Sequence, residues 1–183
     1  MNYYRIYNDI NYPNRWYLGD INVEDNWIFT TGTPINKNDL KNLTIEIDQR
    51  GVPLDFTETD AYGVPIISEC FAEQLYEYIN EIQLIPVSIP NTTQSYYILV
   101  IKNNIDCVDR DKSDFEIFKI DDEIRPDLAG EYKIINLLKV NPQKINKHLF
   151  RIAKYTIVLA VDEELKYKLE NAQLTGIKFQ LIS

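Results

Sequence analysis

The chain has 183 residues, of which 19 are Lys or Arg and 28 are Asp or Glu, giving a formal net charge of −9 at pH 7. This balance argues against non-specific nucleic-acid binding, which depends on basic side chains neutralising phosphates, and against docking on anionic membranes. No repeat, linker or low-complexity tract interrupts the sequence, so we expect one domain over residues 1–183. With no visible signal peptide, no long apolar stretch and two widely spaced cysteines, we expect a cytoplasmic protein.

Strands are predicted along much of the chain, because Ile, Val, Tyr and Thr often alternate with polar residues. The predicted strands cover residues 44–48, 84–89, 95–101, 115–120, 131–140, 155–161 and 177–182. The turn-forming stretch 90–94 predicts a hairpin between the second and third of these strands, and the third is central because it is nearly all apolar. The fourth and fifth strands form a second predicted pair.

One helix is predicted after residue 68. Ser68 can cap a helix that begins at the next residue. Phe71, Leu75, Ile79 and Ile82 then follow at helical spacing and would form one apolar stripe.

A second helix is predicted before the last strand. Asp162 can cap it, and the two glutamates that follow suit the positive end of the helix dipole. Leu165, Leu169 and Ala172 supply the buried face, and Gly176 is expected to end the helix. The sum is an α+β domain with a mixed, mainly antiparallel sheet and two principal helices.

No catalytic motif is found. Walker loops, dinucleotide fingerprints, zinc-ligand spacings and nucleophile elbows are absent from the sequence. His148, the only histidine, is interpreted as a surface or structural residue. Cys70 falls on the first turn of a predicted helix, where a thiol pKa can be lowered, but Glu69 opposes this effect and we expect a buried cysteine. We therefore predict no catalytic residues, no metal and no cofactor.

Acidic residues are concentrated in the middle of the chain. Residues 106–131 hold 10 acidic and 4 basic side chains, whereas residues 132–183 hold 4 acidic and 9 basic ones. Acidic runs are often solvated loops, but loops of this kind can also present a complementary surface to a basic partner. The candidate partner-binding residues are Asp106, Asp109, Asp111, Asp114, Asp121, Asp122 and Glu123.

A series of short segments runs in order along almost the whole chain: residues 3–7 (YYRIY), 15–19 (RWYLG), 51–56 (GVPLDF), 64–68 (VPIIS), 85–87 (IPV), 106–109 (DCVD), 150–151 (FR) and 175–179 (TGIKF). The series resembles a bacterial family once catalogued as a domain of unknown function and now grouped with the immunity proteins of polymorphic toxin systems. The resemblance implies a single-domain cytoplasmic protein that binds and neutralises a cognate toxin, and it implies no catalytic residue. A toxin that acts on nucleic acid would present a basic site to an acidic inhibitor.

The recurring residues of that family are matched here by Trp16, Asp55, Phe56, Asp109, Arg151, Gly176 and Phe179. We expect the apolar ones to be scaffold, while Asp109 and Arg151 are candidates either for scaffold or for interface and could pair with each other. Two other classes of function stay open: a metal-dependent hydrolase that uses the acidic cluster 106–123, and a non-catalytic module that oligomerises. The acidic cluster fails the EF-hand pattern, because a loop counted from Asp109 has Asp114 at position six and Ile120 at position twelve.

Overall fold

Thirteen strands and two helices make up the fold in residues 1–36 and 40–183, the part of the chain that the computed structural model describes. The strands are β1 (Tyr3–Asn8), β2 (Tyr17–Ile21), β3 (Ile45–Gln49), β4 (Phe56–Glu58), β5 (Pro65–Ser68), β6 (Ile82–Val87), β7 (Tyr96–Ile101), β8 (Asn104–Ile105), β9 (Asp114–Ile117), β10 (Tyr132–Leu137), β11 (Leu149–Ile152), β12 (Tyr155–Asp162) and β13 (Ile177–Leu181). The helices are α1 (Glu69–Gln74) and α2 (Glu163–Asn171). The predicted α+β class is confirmed.

The largest sheet has five strands in the order β13-β1-β12-β11-β8. Its pairs are antiparallel, except for the short parallel pair of β8 with β11. Tyr4 of β1 lies opposite Leu181 on one side and Val161 on the other. The first strand of the chain is therefore held between two strands from its C-terminal part.

A second sheet has four antiparallel strands in the order β4-β5-β7-β6. Strands β6 and β7 form the predicted hairpin, and β7 is central as expected. Both faces of β7 are buried, because Ile98 and Val100 enter one core cluster while Leu99 and Ile101 enter another. Coverage on both faces explains the nearly continuous apolar run of this strand.

Three core clusters separate the layers of the fold. The first lies between the two larger sheets and includes Phe71 of α1 and Leu165 of α2. The second lies under the two-stranded β2–β3 sheet and is built around Trp16 and Phe29. The third lies on the other face of the five-stranded sheet, where Phe150 packs under the two-stranded β9–β10 sheet.

Both predicted helices start at their predicted caps, but the first is shorter than its apolar stripe suggested. Helix α1 ends at Gln74 and continues as a 3₁₀ turn, Tyr76–Tyr78. Ile79 is consequently 47% exposed, and Ile82 is the first residue of β6, opposite Ile101. The helical spacing of these two isoleucines was therefore a coincidence of a turn followed by a strand.

The second helix ends slightly earlier than predicted. Gln173, with φ of 52°, adopts the left-handed conformation that terminates α2. Gly176 lies in the turn that leads into β13, and Ala172 is only partly buried, whereas Leu165 and Leu169 are buried as predicted.

Candidate interaction surface

Residues 106–131, which we call the acidic segment, form β9, the loop before it and the loop that leads toward β10. Phe115 of β9 and Tyr132 of β10 face inward, with ring centroids 5.1 Å apart in an edge-to-face contact. Asp114 and Glu116 are exposed. The hairpin thus covers the third core cluster with aromatic rings and turns carboxylates toward solvent.

Five of the seven candidate partner-binding residues are exposed: Asp106, Asp111, Asp114, Asp121 and Glu123. Asp114 accepts a hydrogen bond of 3.1 Å from the amide of Asn136. The other four make no ion pair with any residue that the structure describes. Their charge is therefore not neutralised locally.

Asp109 stabilises the turn before β9. One of its carboxylate oxygens lies 3.1 Å from the Lys112 ammonium, and the other accepts the backbone N–H of Asp111 at 3.3 Å. The hydrogen bond from Lys112 lowers the pKa of Asp109 below its ordinary value. This residue is a structural element of the surface rather than a free contact.

Asp122 has the same role in the loop after β9. Its Oδ1 atom accepts the backbone N–H groups of Arg125 and Ile124, at 2.9 and 3.0 Å, and its Oδ2 atom lies 3.3 Å from Lys133 Nζ. The two backbone hydrogen bonds are the main reason that the pKa of Asp122 is lowered. Both turn-stabilising aspartates belong to the predicted set, but the sequence did not separate them from the exposed five.

Arg151 does not pair with Asp109, contrary to the possibility raised by the sequence. Its guanidinium is fully buried and donates from Nη1 to the carbonyl of Thr156, while Nε and Nη2 have no hydrogen-bond partner in the described part of the chain. Burial lowers the pKa of Arg151 to about 10, and the charge of Glu58 opposes that shift. Arg151 is a buried structural residue.

Most of the other residues shared with the resembled family are scaffold. Trp16 is buried and donates from Nε1 to the Thr57 hydroxyl at 2.8 Å. Phe56 is buried in the first core cluster, and Phe179 packs against that cluster. Gly176 has φ of +83°, and a Cβ there would lie 2.2 Å from the carbonyl oxygen of Phe56.

His148 and Asp162 form a short side-chain contact at the start of α2. The distance from His148 Nδ1 to Asp162 Oδ2 is 2.6 Å, and the other oxygen of Asp162 accepts the Leu165 N–H at 2.9 Å to cap α2. His148, Asp162 and Glu164 could together offer three ligand atoms to a metal ion. No other group of this kind is found in residues 1–36 and 40–183. The positive end of a helix is unfavourable for a cation, and the acidic cluster 106–123 provides no such group for the hydrolase hypothesis.

The two cysteines differ in environment. Cys107 is buried, and desolvation raises its thiol pKa to about 12. Cys70 is exposed, so the prediction of a buried thiol is wrong. Phe71 and Ala72 take the buried face of the short α1 helix, which leaves Cys70 on the solvent side.

A group of exposed aliphatic side chains within and beside the acidic segment was not predicted from the sequence. Ile120 belonged to a strand predicted over residues 115–120, but β9 ends at Ile117. Ile120 and Ile124 are therefore in a loop and are 88% and 84% exposed. The signal available in the sequence was the repeated placement of isoleucine among acidic residues after Ile117.

The β9–β10 hairpin thus packs on the third core cluster and exposes the carboxylates of Asp114 and Glu116. The model of the immunity protein family Imm11 matches residues 43–183, and the chain belongs to that family. No curated protein matches the chain. None of the described helices is long and apolar enough to cross a membrane.

Proposed function

We propose that this protein binds and neutralises a cognate bacterial toxin through direct protein–protein contact, without catalysis, and that the acidic segment is part of the contact. Membership in an immunity protein family supports the existence of a toxin partner. The observation that carries the choice of surface is the group of exposed carboxylates without local ion pairs, to which Asp111, Asp121 and Glu123 belong.

Charge complementarity favours a basic toxin surface. Ten acidic and four basic side chains share the acidic segment, so its field attracts a positively charged partner over distances comparable to the Debye length, about 8–10 Å at physiological salt. A toxin that acts on nucleic acid must itself bind phosphates through basic residues. Carboxylates on the hairpin would steer the protein to such a site, and the bound hairpin would then block access of nucleic acid to it.

The proposal also assigns residues 1–183 to one domain that acts in the cytoplasm and needs no cofactor. The first core cluster supports a single unit, because it joins Ile6 near the start of the chain to Leu99 in the middle and Leu169 near the end. Two thiols that form no disulfide, Cys70 and Cys107, suit a reducing compartment.

The test uses the cognate toxin domain, which we expect a neighbouring gene to encode. Association rates are measured at several salt concentrations for the native chain and for the triple variant Asp111→Lys, Asp121→Lys and Glu123→Lys. We expect the variant to associate at least about tenfold more slowly at low salt, with a flatter salt dependence, because electrostatic steering acts mainly on the association rate. Loss of protection against the toxin in co-expressing cells is the matching cellular result.

The matched control carries the same change in net charge on other parts of the surface: Asp20→Lys, Glu46→Lys and Glu73→Lys, three positions that are exposed. This control is expected to slow association much less. Equal effects of the two triple variants would overturn the assignment of the surface, since only net charge would then matter. Absence of any binding or protection by the native chain would overturn the proposed function itself.

A further inference from the structure

The β9–β10 hairpin exposes aliphatic side chains to an unusual degree. Ile120 and Ile124 are almost fully exposed, and Ile117, Ile134 and Leu137 are between 43% and 49% exposed. Half of the exposed Ile, Leu and Val side chains in the described residues belong to this hairpin. Single exposed aliphatics are normal, but a concentration of them marks an interaction surface. Ile117 lies opposite the inward-facing Tyr132, on the other side of the hairpin, so we call the remaining four residues (Ile120, Ile124, Ile134 and Leu137) the aliphatic face.

The strand register places aliphatic and acidic side chains next to each other. Ile134 of β10 lies opposite Glu116 of β9, and Leu137 lies opposite Asp114. Side chains of directly opposed residues are in contact range across a strand pair. The exposed side of the hairpin is therefore a mixture of apolar groups and carboxylates rather than a uniformly charged surface.

The loop that carries the two most exposed isoleucines is held in place. Backbone hydrogen bonds of 2.9 Å from Phe118 N to the Glu131 carbonyl and from Gly130 N to the Phe118 carbonyl close its two ends. Asp122 fixes its interior through the backbone N–H groups of Ile124 and Arg125. A surface that is already ordered loses less conformational entropy when it binds. Ile120 and Ile124 are thus presented in a fixed arrangement.

Charge identifies the occupant of this face. A second copy of the chain would bring the same acidic segment against itself, and like charges brought together across an interface are unfavourable. A protein surface that carries apolar side chains surrounded by Lys and Arg complements the hairpin, because its apolar groups can pack on the aliphatic side chains and its cations can pair with the carboxylates. Binding energy in interfaces comes mainly from a desolvated centre, while the charged rim adds specificity and association rate.

We infer that the aliphatic face is the apolar anchor of the toxin contact and that Ile120 and Ile124 form its centre. This inference rests on the proposed function, and it assigns the association rate and the dissociation rate to different side chains of the surface. The carboxylates determine the association rate of the toxin, and the two isoleucines determine its dissociation rate.

The experiment measures association and dissociation rates of the cognate toxin domain against the double variant Ile120→Ser and Ile124→Ser. We expect dissociation to be at least about tenfold faster, as for loss of an interface anchor, with an unchanged association rate and unchanged salt dependence. The control variant, Ile10→Ser and Ile79→Ser, changes two exposed isoleucines elsewhere and should dissociate like the native chain. The circular dichroism melting curve of the Ile120→Ser and Ile124→Ser variant should coincide with that of the native chain, since these side chains are 88% and 84% exposed, and the curve of the control variant confirms that it is folded.

Each outcome separates the inference from the proposed function. If the toxin binds and the dissociation rate of the Ile120→Ser and Ile124→Ser variant equals that of the native chain, the aliphatic face is not the anchor, although the immunity role stands. If light scattering shows a dimer that this variant abolishes, the occupant is a second copy and the inference is wrong. If the native chain neither binds the toxin nor protects cells, the proposed function is wrong, and the inference that rests on it is wrong as well.

Discussion

The carboxylate of Asp55 accepts two hydrogen bonds from Thr175, one from its backbone N–H at 2.9 Å and one from its hydroxyl at 2.7 Å. The other carboxylate oxygen accepts the Ser68 hydroxyl at 2.7 Å. Thr175 lies two residues before β13 of the five-stranded sheet, and Asp55 lies next to β4 of the four-stranded sheet. This single side chain therefore joins the two larger sheets at their margin.

Replacing Asp55 should destabilise the whole domain. We expect Asp55→Ala to lower the free energy of unfolding by about 3 kcal/mol or more, because three donors lose a charged acceptor, and Asp55→Asn to cost less. Urea denaturation followed by tryptophan fluorescence measures both. Asp60→Ala, at an exposed position of the neighbouring turn, is the control, and an equal effect of Asp55→Ala and Asp60→Ala would show that the Asp55 contacts add nothing to stability.

Two glycines with the same backbone conformation should respond very differently to alanine. Gly176 and Gly130 have φ of +83° and +86°, but a Cβ at Gly176 would lie 2.2 Å from the Phe56 carbonyl oxygen, whereas a Cβ at Gly130 would meet no atom within 4 Å. Gly130→Ala should cost only the left-handed backbone penalty, about 1 kcal/mol.

Gly176→Ala should cost about 1–3 kcal/mol beyond that, because the strand end must also move. Melting temperatures of the two variants provide the comparison. Similar losses at both positions would mean that the close approach to Phe56 is relieved without cost.

Local features of this fold were predictable because their causes are close in sequence. The Ser68 hydroxyl accepts the Phe71 N–H at 3.3 Å, and Asp162 accepts the Leu165 N–H, so both predicted helix caps are confirmed. The β6–β7 hairpin needed only a turn between two apolar runs. The length of α1 was harder to predict, because the spacing of Ile82 from the preceding apolar residues fits a longer helix although Ile82 lies in β6.

Long-range features were not predictable from one sequence. Strand β1 has no distinctive alternation, and its identity depends on β12 and β13, which lie more than 150 residues later. The acidic positions of the candidate surface were visible in the sequence, but the structural role of Asp122 was not. That role depends on the ion pair with Lys133 and on the hydrogen bond from the Ile124 backbone N–H. The pattern of charges along the sequence specifies neither contact.

Stability should fall as the pH rises between 4.5 and 7 because of Glu58. Burial raises the pKa of this carboxyl from its usual value near 4.5 to about 7, against the opposing charges of Arg5, Arg151 and Arg15. In that window the folded state binds the proton more tightly than the unfolded state, so deprotonation favours unfolding. The contribution is about 3 kcal/mol over the whole window.

Glu58→Gln should remove this pH dependence, because glutamine resembles the protonated acid at every pH. The variant is expected to be more stable than the native chain at pH 8 and equally stable near pH 4.5. Urea unfolding at a series of pH values tests this, with the exposed Glu46→Gln as control. A constant stability difference across the series would contradict a raised pKa at Glu58.

Neighbouring aspartates in the loop after β9 should have separable effects. Asp122→Ala removes the acceptor for the Ile124 and Arg125 N–H groups and the partner of Lys133. We expect faster amide hydrogen exchange at residues 124 and 125, measured by NMR. Asp121→Ala, at an exposed residue without an ion pair in the described chain, should leave that exchange unchanged.

The same two variants also separate the effect of loop order on toxin binding from the effect of net charge, since each variant removes one carboxylate but only Asp122→Ala loosens the loop. Asp121→Ala should slow association modestly and leave dissociation alone. Asp122→Ala should in addition speed dissociation, because Ile124 is then no longer held in its binding arrangement. The pKa of Asp122 is lowered by its backbone hydrogen bonds, so native loop order should persist at neutral pH and be lost only as the pH falls through that depressed value. Equal dissociation rates for the two variants would show that loop order makes no contribution to the contact.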